Sequence, residues 1–299
     1  MKKFKIIISL LLVLVGSAFA KYIVASGPEV TEEFKVKNIS FLDVRSQIDV
    51  YLTQGNKEEV IIETYKGILP YINVEQDGER LNIYLDRKVH KIKWNGKDEI
   101  INAYITVKDL DKVSLSGACD LYLDTPFETD VLKLTASGAS DLDLDKIIGE
   151  SIKIITSGAS DIDNADLEAL KVYINASGAS DGEIKVVADV FDIIASGASN
   201  FNIDVDVEDL NIKAHGASDF DAVGTSKTFV VNVSGSSDMS AYDLISDTVI
   251  VDASGSSNCK VNVVKVIKAN SSGASTIYYK GKPANVRVDV SGVSTIRSK

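Results

Sequence analysis

The stretch LTASGASDLDLD, residues 134–145, contains a pentapeptide, SGASD, that recurs in exact or altered form through the second half of the chain. Its glycine returns every 18 to 21 residues, and the ten copies are Gly117, Gly138, Gly158, Gly178, Gly197, Gly216, Gly235, Gly255, Gly273 and Gly292. A near-constant period of this length is typical of a solenoid, in which each repeat packs only on its neighbours. We therefore predict one turn of chain per repeat.

Apolar residues alternate with polar ones on both sides of the glycine. The positions four and six residues before it are almost always apolar, as in Leu132 and Leu134, and the position four after it is usually apolar, as in Leu142. This alternation indicates strands with one buried face. The glycine suits a corner that needs a positive φ or a close backbone approach. Each repeat should be a strand, a tight turn, a second strand and a more variable return loop. The stacked repeats predict an all-β fold, a parallel β-helix with about 19–20 residues per rung.

Two polar columns follow the glycine. The second residue after it is Ser in nine copies, such as Ser140, and Cys119 in the tenth. This column is in phase with the buried positions, so we predict a hydroxyl ladder. The third residue is Asp141, Asp161 or Asp181, and Asn or Thr in some other copies. Because all three residue types accept hydrogen bonds from turn backbone, we predict a structural corner. Weak surface calcium binding is the alternative, and no other cofactor or metal site is predicted.

Catalytic groups are missing from the repeat pattern. A polysaccharide lyase on a β-helix needs an Arg or Lys base opposite calcium-binding carboxylates, and a hydrolase needs paired acids. The chain has no Arg between Arg87 and Arg287, and its Asp residues follow the repeat. We therefore predict no catalytic residue and no enzymatic activity. A carbohydrate-active enzyme on the same fold, either a polysaccharide lyase or a hydrolase, stays the alternative.

The beginning of the chain differs from the rest. Residues 1–20 combine early lysines, an apolar run and the triplet Ala18-Phe19-Ala20, which predicts a cleaved signal peptide and export to the periplasm, the outer-membrane surface or the exterior. Residues 21–112 read as an N-terminal cap with irregular first rungs, or alternatively as a separate β domain. Residues 113–299 are the regular β-helix. No further apolar segment is long enough to span a membrane as a helix.

Charge separates the regular repeats from an irregular basic stretch. Residues 113–286 contain 26 acidic residues, 12 Lys and no Arg, and such a surface repels phosphate backbones, so we predict no nucleic-acid partner. The stretch 87–97 is basic and contains the only tryptophan. Lys91, Lys93 and Trp94 are therefore a candidate binding patch for an acidic glycan or a protein partner. A solvated loop beside the cap is the simpler interpretation, and the sequence favours it.

Three segments together resemble a known family. They are the repeated SGASD corners, the segment SFLDVRSQIDVYLTQG at 40–55 and the segment GKPANVRVDVSGVSTIRSK at 281–299. The chain resembles the auto-transporter adhesin head GIN domain family over about residues 34–299. This is a domain of unknown function common in secreted and surface proteins of Bacteroidetes. The resemblance implies a single-stranded right-handed β-helix with a pectin-lyase-like shape but without the catalytic residues of those enzymes, and a role in cell adhesion. We therefore expect a non-enzymatic envelope or secreted protein that binds a glycan, a protein or an envelope component. The oligomeric state is open.

Overall fold

The computed structural model describes residues 21–123 and 125–299. The described residues are 72% β-strand and form a β-solenoid of about 9 turns, which confirms the predicted all-β fold. The predicted signal peptide, residues 1–20, lies outside the described residues. The ten corner glycines mark the boundaries between successive turns of the solenoid, and their strands pair in parallel with glycine opposite glycine, as in Gly138 opposite Gly158.

The regular part of the solenoid begins at residue 112. Its strands are β10 (Lys112–Gly117), β11 (Leu121–Leu123), β12 (Phe127–Gly138), β13 (Leu142–Leu144), β14 (Lys146–Gly158), β15 (Ile162–Gly178), β16 (Gly182–Gly197), β17 (Asn200–Gly216), β18 (Asp219–Val233), β19 (Asp238–Ala253), β20 (Asn258–Ser271), β21 (Thr276–Lys280), β22 (Asn285–Val290) and β23 (Thr295–Ser298). We call the part of each turn that leads into the corner glycine the first face, and the part that follows it the second face.

The predicted return loop is wrong, because it is strand. In the turn that ends at Gly197, strand β16 runs from the second face through the whole return to the next corner. Along it Ile184 and Val186 are buried while Glu183 and Lys185 are exposed. The return therefore forms a third face that obeys the same period-two alternation as the other two. Its residue types vary more from turn to turn than those of the other two faces, so the repeat motif does not mark this strand.

A second corner joins the third face to the first. Strand pairing skips one residue per turn there, as at Asp189, which lies between the paired residues Ala188 and Val190. The residue before each skip is usually small, and the stacked set is Thr129, Gly149, Ala169, Ala188, Val207, Ser226 and Ser246. A Cβ at Gly149 would lie 2.4 Å from the Thr129 carbonyl oxygen, so the bend brings neighbouring backbones close together. This corner has no fixed motif and was not predicted.

The N-terminal segment contains both parallel and antiparallel strands. They are β1 (Lys21–Val24), β2 (Glu29–Phe34), β3 (Phe41–Ser46), β4 (Asp49–Gln54), β5 (Glu59–Tyr65), β6 (Ile72–Asp77), β7 (Arg80–Leu85), β8 (Val89–Lys93) and β9 (Ile101–Val107), with a 3₁₀ turn at Leu69–Tyr71. Strands β3 and β4 pair in parallel with β10 and β11, and Ser46 lies opposite Gly117. Its φ of 95° is the corner conformation of the glycines.

On the N-terminal side of this turn, some of the strands run antiparallel to their neighbours. Strands β7 and β9 form a further parallel layer, whereas β6 pairs antiparallel with β7 and β5 pairs antiparallel with β9. Strand β2 pairs antiparallel with β5, and β1 pairs with β8 in a separate two-stranded ribbon. Ile39, Tyr65 and Ile68 are buried in the same core at this end of the solenoid. The N-terminal end is therefore closed by its own chain.

At the C-terminal end of the solenoid, apolar residues of the last turn are exposed. Val286 and Val288 belong to columns predicted to be buried, but they are 48% and 44% exposed, and Val290 is 52% exposed. Strand β22 pairs with β20 on one side, and no strand of the described residues pairs with its other edge. The column prediction is wrong for this last turn, because burial in a solenoid requires a neighbouring turn on both sides.

Candidate functional site

The corner glycines are stacked so closely that a side chain does not fit between them. All ten have positive φ, from 72° to 114°. A Cβ on Gly178 would lie 2.2 Å from the carbonyl oxygen of Gly158 in the preceding turn, and one on Gly138 would lie 2.4 Å from that of Gly117. These distances are too short for any side chain. Only glycine is therefore tolerated at these ten positions.

The serine column lies inside the corner. Ser140 is buried, and its Oγ donates to the Ser137 carbonyl oxygen at 3.2 Å. The same Oγ accepts the backbone N–H of Cys119 at 3.1 Å, and the Ser160 Oγ accepts that of Ser140 at 3.2 Å. The hydroxyls therefore link neighbouring turns, and their burial keeps them away from any external ligand. Cys119 and Cys259 are buried free thiols.

The aspartate column differs from the prediction in its hydrogen-bond partner. The Asp120 Oδ1 accepts the backbone N–H of Asp141 at 3.0 Å, Asp141 accepts that of Asp161 at 3.0 Å, and Asp161 accepts that of Asp181 at 2.8 Å. Each carboxylate therefore binds the backbone of the next turn, not that of its own turn. No group of three or more metal-ligating side chains able to hold a metal ion occurs within residues 21–123 and 125–299.

The predicted patch of Lys91, Lys93 and Trp94 lies on and beside strand β8 of the ribbon. Both lysines are exposed, and the Lys93 Nζ lies 5.3 Å from the ring centroid of Tyr22, a residue that is 57% exposed. Trp94 is partly buried, because it packs against the core and meets the Tyr65 ring edge-on at 6.5 Å. The tryptophan is therefore a partly structural side chain, and Tyr22 is the more exposed aromatic of the ribbon.

A polar cleft next to this ribbon was missed by the sequence analysis. It has a volume of about 560 Å³ and is lined by Arg45, Asn73, Glu75, Asn82, Tyr84, Asp86, Arg87 and Lys88. Its floor is the outer surface of three adjacent strands of the first face. Tyr84 of β7 is paired with Arg45 of β3 and Asn73 of β6, and Asn82 is paired with Glu75. The segment Asp86–Lys88 forms one wall. We call this feature the N-terminal cleft.

Hydrogen bonds fix the floor of the N-terminal cleft. The Tyr84 hydroxyl donates to the Glu75 Oε1 at 2.8 Å, and this bond, followed by desolvation, raises the pKa of Tyr84 above its ordinary value. Arg45 donates two bonds to Asp43, at 2.7 and 3.0 Å. That pairing raises the pKa of Arg45 further, so the guanidinium stays charged at every accessible pH. The floor of the cleft thus presents the Tyr84 ring and the Arg45 guanidinium in fixed positions.

The only sequence signal for the cleft was the loss of the repeat. Its side chains lie on strands that alternate correctly, but the antiparallel turn from β6 to β7 brings Asn73 and Glu75 beside Tyr84 and Asn82.

A family model described as "Putative auto-transporter adhesin, head GIN domain" matches residues 40–186 and 167–283. Together these matches cover more than half of the chain. The chain belongs to this family.

Solved structures share the fold of this GIN-domain protein. A "putative adhesin" from Parabacteroides distasonis ATCC 8503 superposes with a TM-score of 0.59 at 18% identity, over 93% of this chain and 100% of that one. A "putative adhesin" from Parabacteroides merdae ATCC 43184 gives 0.57 at 17% identity, over 94% and 100%. No curated protein gives a significant sequence match. The described residues contain no helix long and apolar enough to cross a membrane.

The N-terminal cleft of this GIN-domain protein combines hydrogen-bonding and charged side chains. Carboxyl groups whose pKa is raised by burial, such as Asp49 and Asp163, lie on the second face, outside the cleft. In the cleft, Glu75 is hydrogen-bonded to Tyr84. Amide, hydroxyl and guanidinium groups can hold a polar ligand by directional hydrogen bonds, and a charged wall can select an anionic one.

Proposed function

We propose that this GIN-domain protein is a non-enzymatic adhesin that binds an anionic glycan through the N-terminal cleft. The cleft carries the proposal, because it is a large polar cavity in the one region where the repeat fails. Neighbouring hydroxyls of a sugar can pair with the amides of Asn73 and Asn82, while the Tyr84 ring offers an apolar edge. A sugar carboxylate can pair with Arg87 or Lys88 of the wall.

The charge distribution supports an anionic ligand at this place. The repeats between residues 113 and 286 are strongly acidic, so they repel an anion. The cleft and the ribbon next to it contain Arg87, Lys88, Lys91 and Lys93 within seven residues. These four basic residues give an anionic polymer a local point of attraction beside the cleft. Lys91 and Lys93 extend the site along the ribbon, and the ring of Tyr22, which is 57% exposed, is available to stack on a sugar.

The other parts of the chain have supporting roles in this proposal. Residues 1–20 direct export, and the mature chain acts at the cell envelope or outside the cell. Residues 21–112 serve as the cap and first rungs of the same solenoid, which the in-register pairing of β3 with β10 supports. The corner glycines, serines and aspartates are structural and bind no cofactor. Two functions compete with this one: binding of a protein partner at the same cleft, and turnover of a polysaccharide.

A glycan array tests the proposal. We expect binding to glycans that contain uronic or other acidic sugars, weak binding to neutral ones, and equal binding with calcium or with a chelator. Arg87→Gln and Asn82→Ala should each weaken binding about tenfold or more, since each removes a hydrogen bond worth about 1.5 kcal/mol or more to a charged or buried group. Lys153→Gln and Asn211→Ala, on the same face but far from the cleft, are the matched controls.

Three outcomes would contradict this function. Binding that survives both cleft variants would place the site elsewhere. Binding that requires calcium would assign the aspartate column a role in recognition. Release of shorter chains from any bound polymer would identify the protein as an enzyme, which is the alternative that the fold allows.

A further inference from the structure

The free edge of strand β22 is the second surface of interest, and it lies at the opposite end of the solenoid from the N-terminal cleft. Val286, Val288 and Val290 point toward the core but have no turn above them, and they are 48%, 44% and 52% exposed. Strand β22 pairs only with β20 among the described residues. An exposed apolar strand edge of this kind attracts another strand.

The backbone of β22 is arranged for such pairing. Ser291, directly after the strand, donates its N–H to the Ser271 carbonyl oxygen of the preceding turn at 2.9 Å. Backbone groups alternate in direction along a strand, so Arg287 and Asp289 also face that turn. The N–H and C=O groups of the three valines therefore face the open edge. Spaced at every second residue, they match the hydrogen-bonded pairs of an antiparallel ladder.

The side chains between the valines identify the partner. Arg287 and Asp289 lie on either side of Val288, both are exposed, and the Arg287 Nε lies 3.8 Å from the Asp289 Oδ2 of the same strand. In an antiparallel pair centred on Val288, a second β22 places its Asp289 opposite Arg287 and its Arg287 opposite Asp289. These positions are non-hydrogen-bonded pairs, at which facing side chains approach most closely. The strand is thus complementary in charge to its own copy.

We propose that two copies of this chain associate tail to tail through antiparallel pairing of their β22 strands. The contact is isologous, since the same strand serves both copies, and a two-fold axis passes through the Val288 pair. It stops at two copies, because the N-terminal end is closed by β2, β5 and β6. Lys282 and Arg297, on the other two sides of the same end, confine the contact to β22 by like-charge repulsion.

This arrangement has a consequence for adhesion, and that consequence alone rests on the proposed function. Nine turns at about 4.8 Å extend each solenoid by roughly 40 Å. A tail-to-tail pair then carries its two N-terminal clefts at opposite ends of a rod about twice as long. Such a dimer bridges two surfaces, whereas both clefts cannot engage one flat surface.

Charge reversal at β22 tests the dimer directly, with mass measured by sedimentation over about 1 to 500 µM because small interfaces are weak. We expect the wild type to double its mass with rising concentration. Arg287→Asp and Asp289→Arg should each shift dimerisation to at least tenfold higher concentration, since each places like charges opposite one another. The double variant should recover the wild-type behaviour, and an equimolar mixture of the two single variants should form a heterodimer.

The control is Lys268→Asp, which reverses a charge in register with Arg287 but one turn inside the edge. It should dimerise like the wild type, and circular dichroism should show the same fold for every variant. A monomeric wild type at all concentrations would overturn the proposal. So would single variants that dimerise normally, a double variant that fails to recover, or growth into filaments, which requires a different contact. The test needs no glycan, so its outcome is independent of the proposed adhesin function.

Discussion

The two ends of the solenoid solve the same physical problem in different ways. A turn in the middle has its apolar interior covered by a neighbour on each side, but an end turn has only one neighbour. At the N-terminal end the chain reverses direction in β5 and β6 and buries Ile68 and Tyr65 in the core. At the C-terminal end Val286, Val288 and Val290 stay exposed. The closed end can therefore develop a cleft, and the open end is a surface for association.

The closed end also shows how a binding site arises in a repetitive protein. In the middle of the solenoid every outward side chain lies beside equivalents from adjacent turns, as in the stack of Asp141, Asp161 and Asp181. The N-terminal cleft instead combines side chains from strands of different origin and direction. Unlike chemical groups meet only where the repeat is interrupted.

The largest expected effect comes from filling a corner in the middle of the solenoid. Gly178→Ala places a Cβ 2.2 Å from the Gly158 carbonyl oxygen and adds the strain of a φ of 104°. We expect a loss of about 3 kcal/mol or more in unfolding free energy, because left-handed strain alone costs 1–2 kcal/mol and the backbone of the next turn must also move. Denaturant unfolding followed by circular dichroism measures it.

Gly78→Ala in the N-terminal region is the matched control. Its φ is +60°, but no atom lies within 4 Å of a Cβ built there. It should cost only about 1 kcal/mol from backbone strain. Equal losses in the two variants would mean that contact between turns is not what requires glycine at the corners.

A second pair of variants distinguishes the two ends. Ile68→Ala removes a fully buried side chain at the closed end and should cost about 3 kcal/mol, as other buried Ile to Ala changes do. Val288→Ala shortens a side chain of the open end that is 44% exposed, and it should change stability by less than about 1 kcal/mol. Hydrogen exchange should show that Ile68→Ala exposes β5 and β6 first. Similar costs for both variants would contradict the contrast between a closed and an open end.

Much of this fold could be predicted from the sequence, because one corner glycine per turn sets the register of every strand around it. The columns at Leu132, Leu134 and Leu142 are buried as the alternation indicates. Two features could not be predicted. The third face carries no conserved letters from turn to turn. The exposure of Val286 and Val288 depends on whether another turn covers them, and a local pattern contains no such information.

The candidate site was less predictable for a similar reason. The basic stretch around Lys91 and Lys93 was visible as a charge pattern, yet Trp94 packs inward because Tyr65 and the core lie beneath it. The N-terminal cleft depends on which strands become neighbours. Asn73 and Tyr84 are eleven residues apart and face each other only after the turn between β6 and β7. Sequence reasoning found the place where repetition fails, but not the cleft that forms there.

The smallest expected effect is a loss of stability at high pH. It comes from two buried thiols, Cys119 near the closed end and Cys259 near the open end, whose contributions can be compared. Burial raises the pKa of Cys119 to about 11, and burial also raises that of Cys259. A raised pKa means that the folded state keeps the proton while the unfolded state loses it. The stabilising effect is therefore complete below the unfolded pKa near 9 and disappears as the pH approaches the folded value.

Between pH 9 and 10.5, Cys119 alone should account for a loss of about 1.5 kcal/mol, because the slope approaches 1.36 kcal/mol per pH unit only above the unfolded pKa. Cys119→Ser should remove that part of the slope, and it keeps a hydroxyl that the corner accommodates in nine other turns. Cys259→Ser should also reduce the slope, and the double variant should retain mainly the contribution of Tyr122, whose pKa burial raises to about 12. A Cys119→Ser slope identical to that of the wild type would mean that the corner near the closed end admits water and leaves this thiol free to ionise.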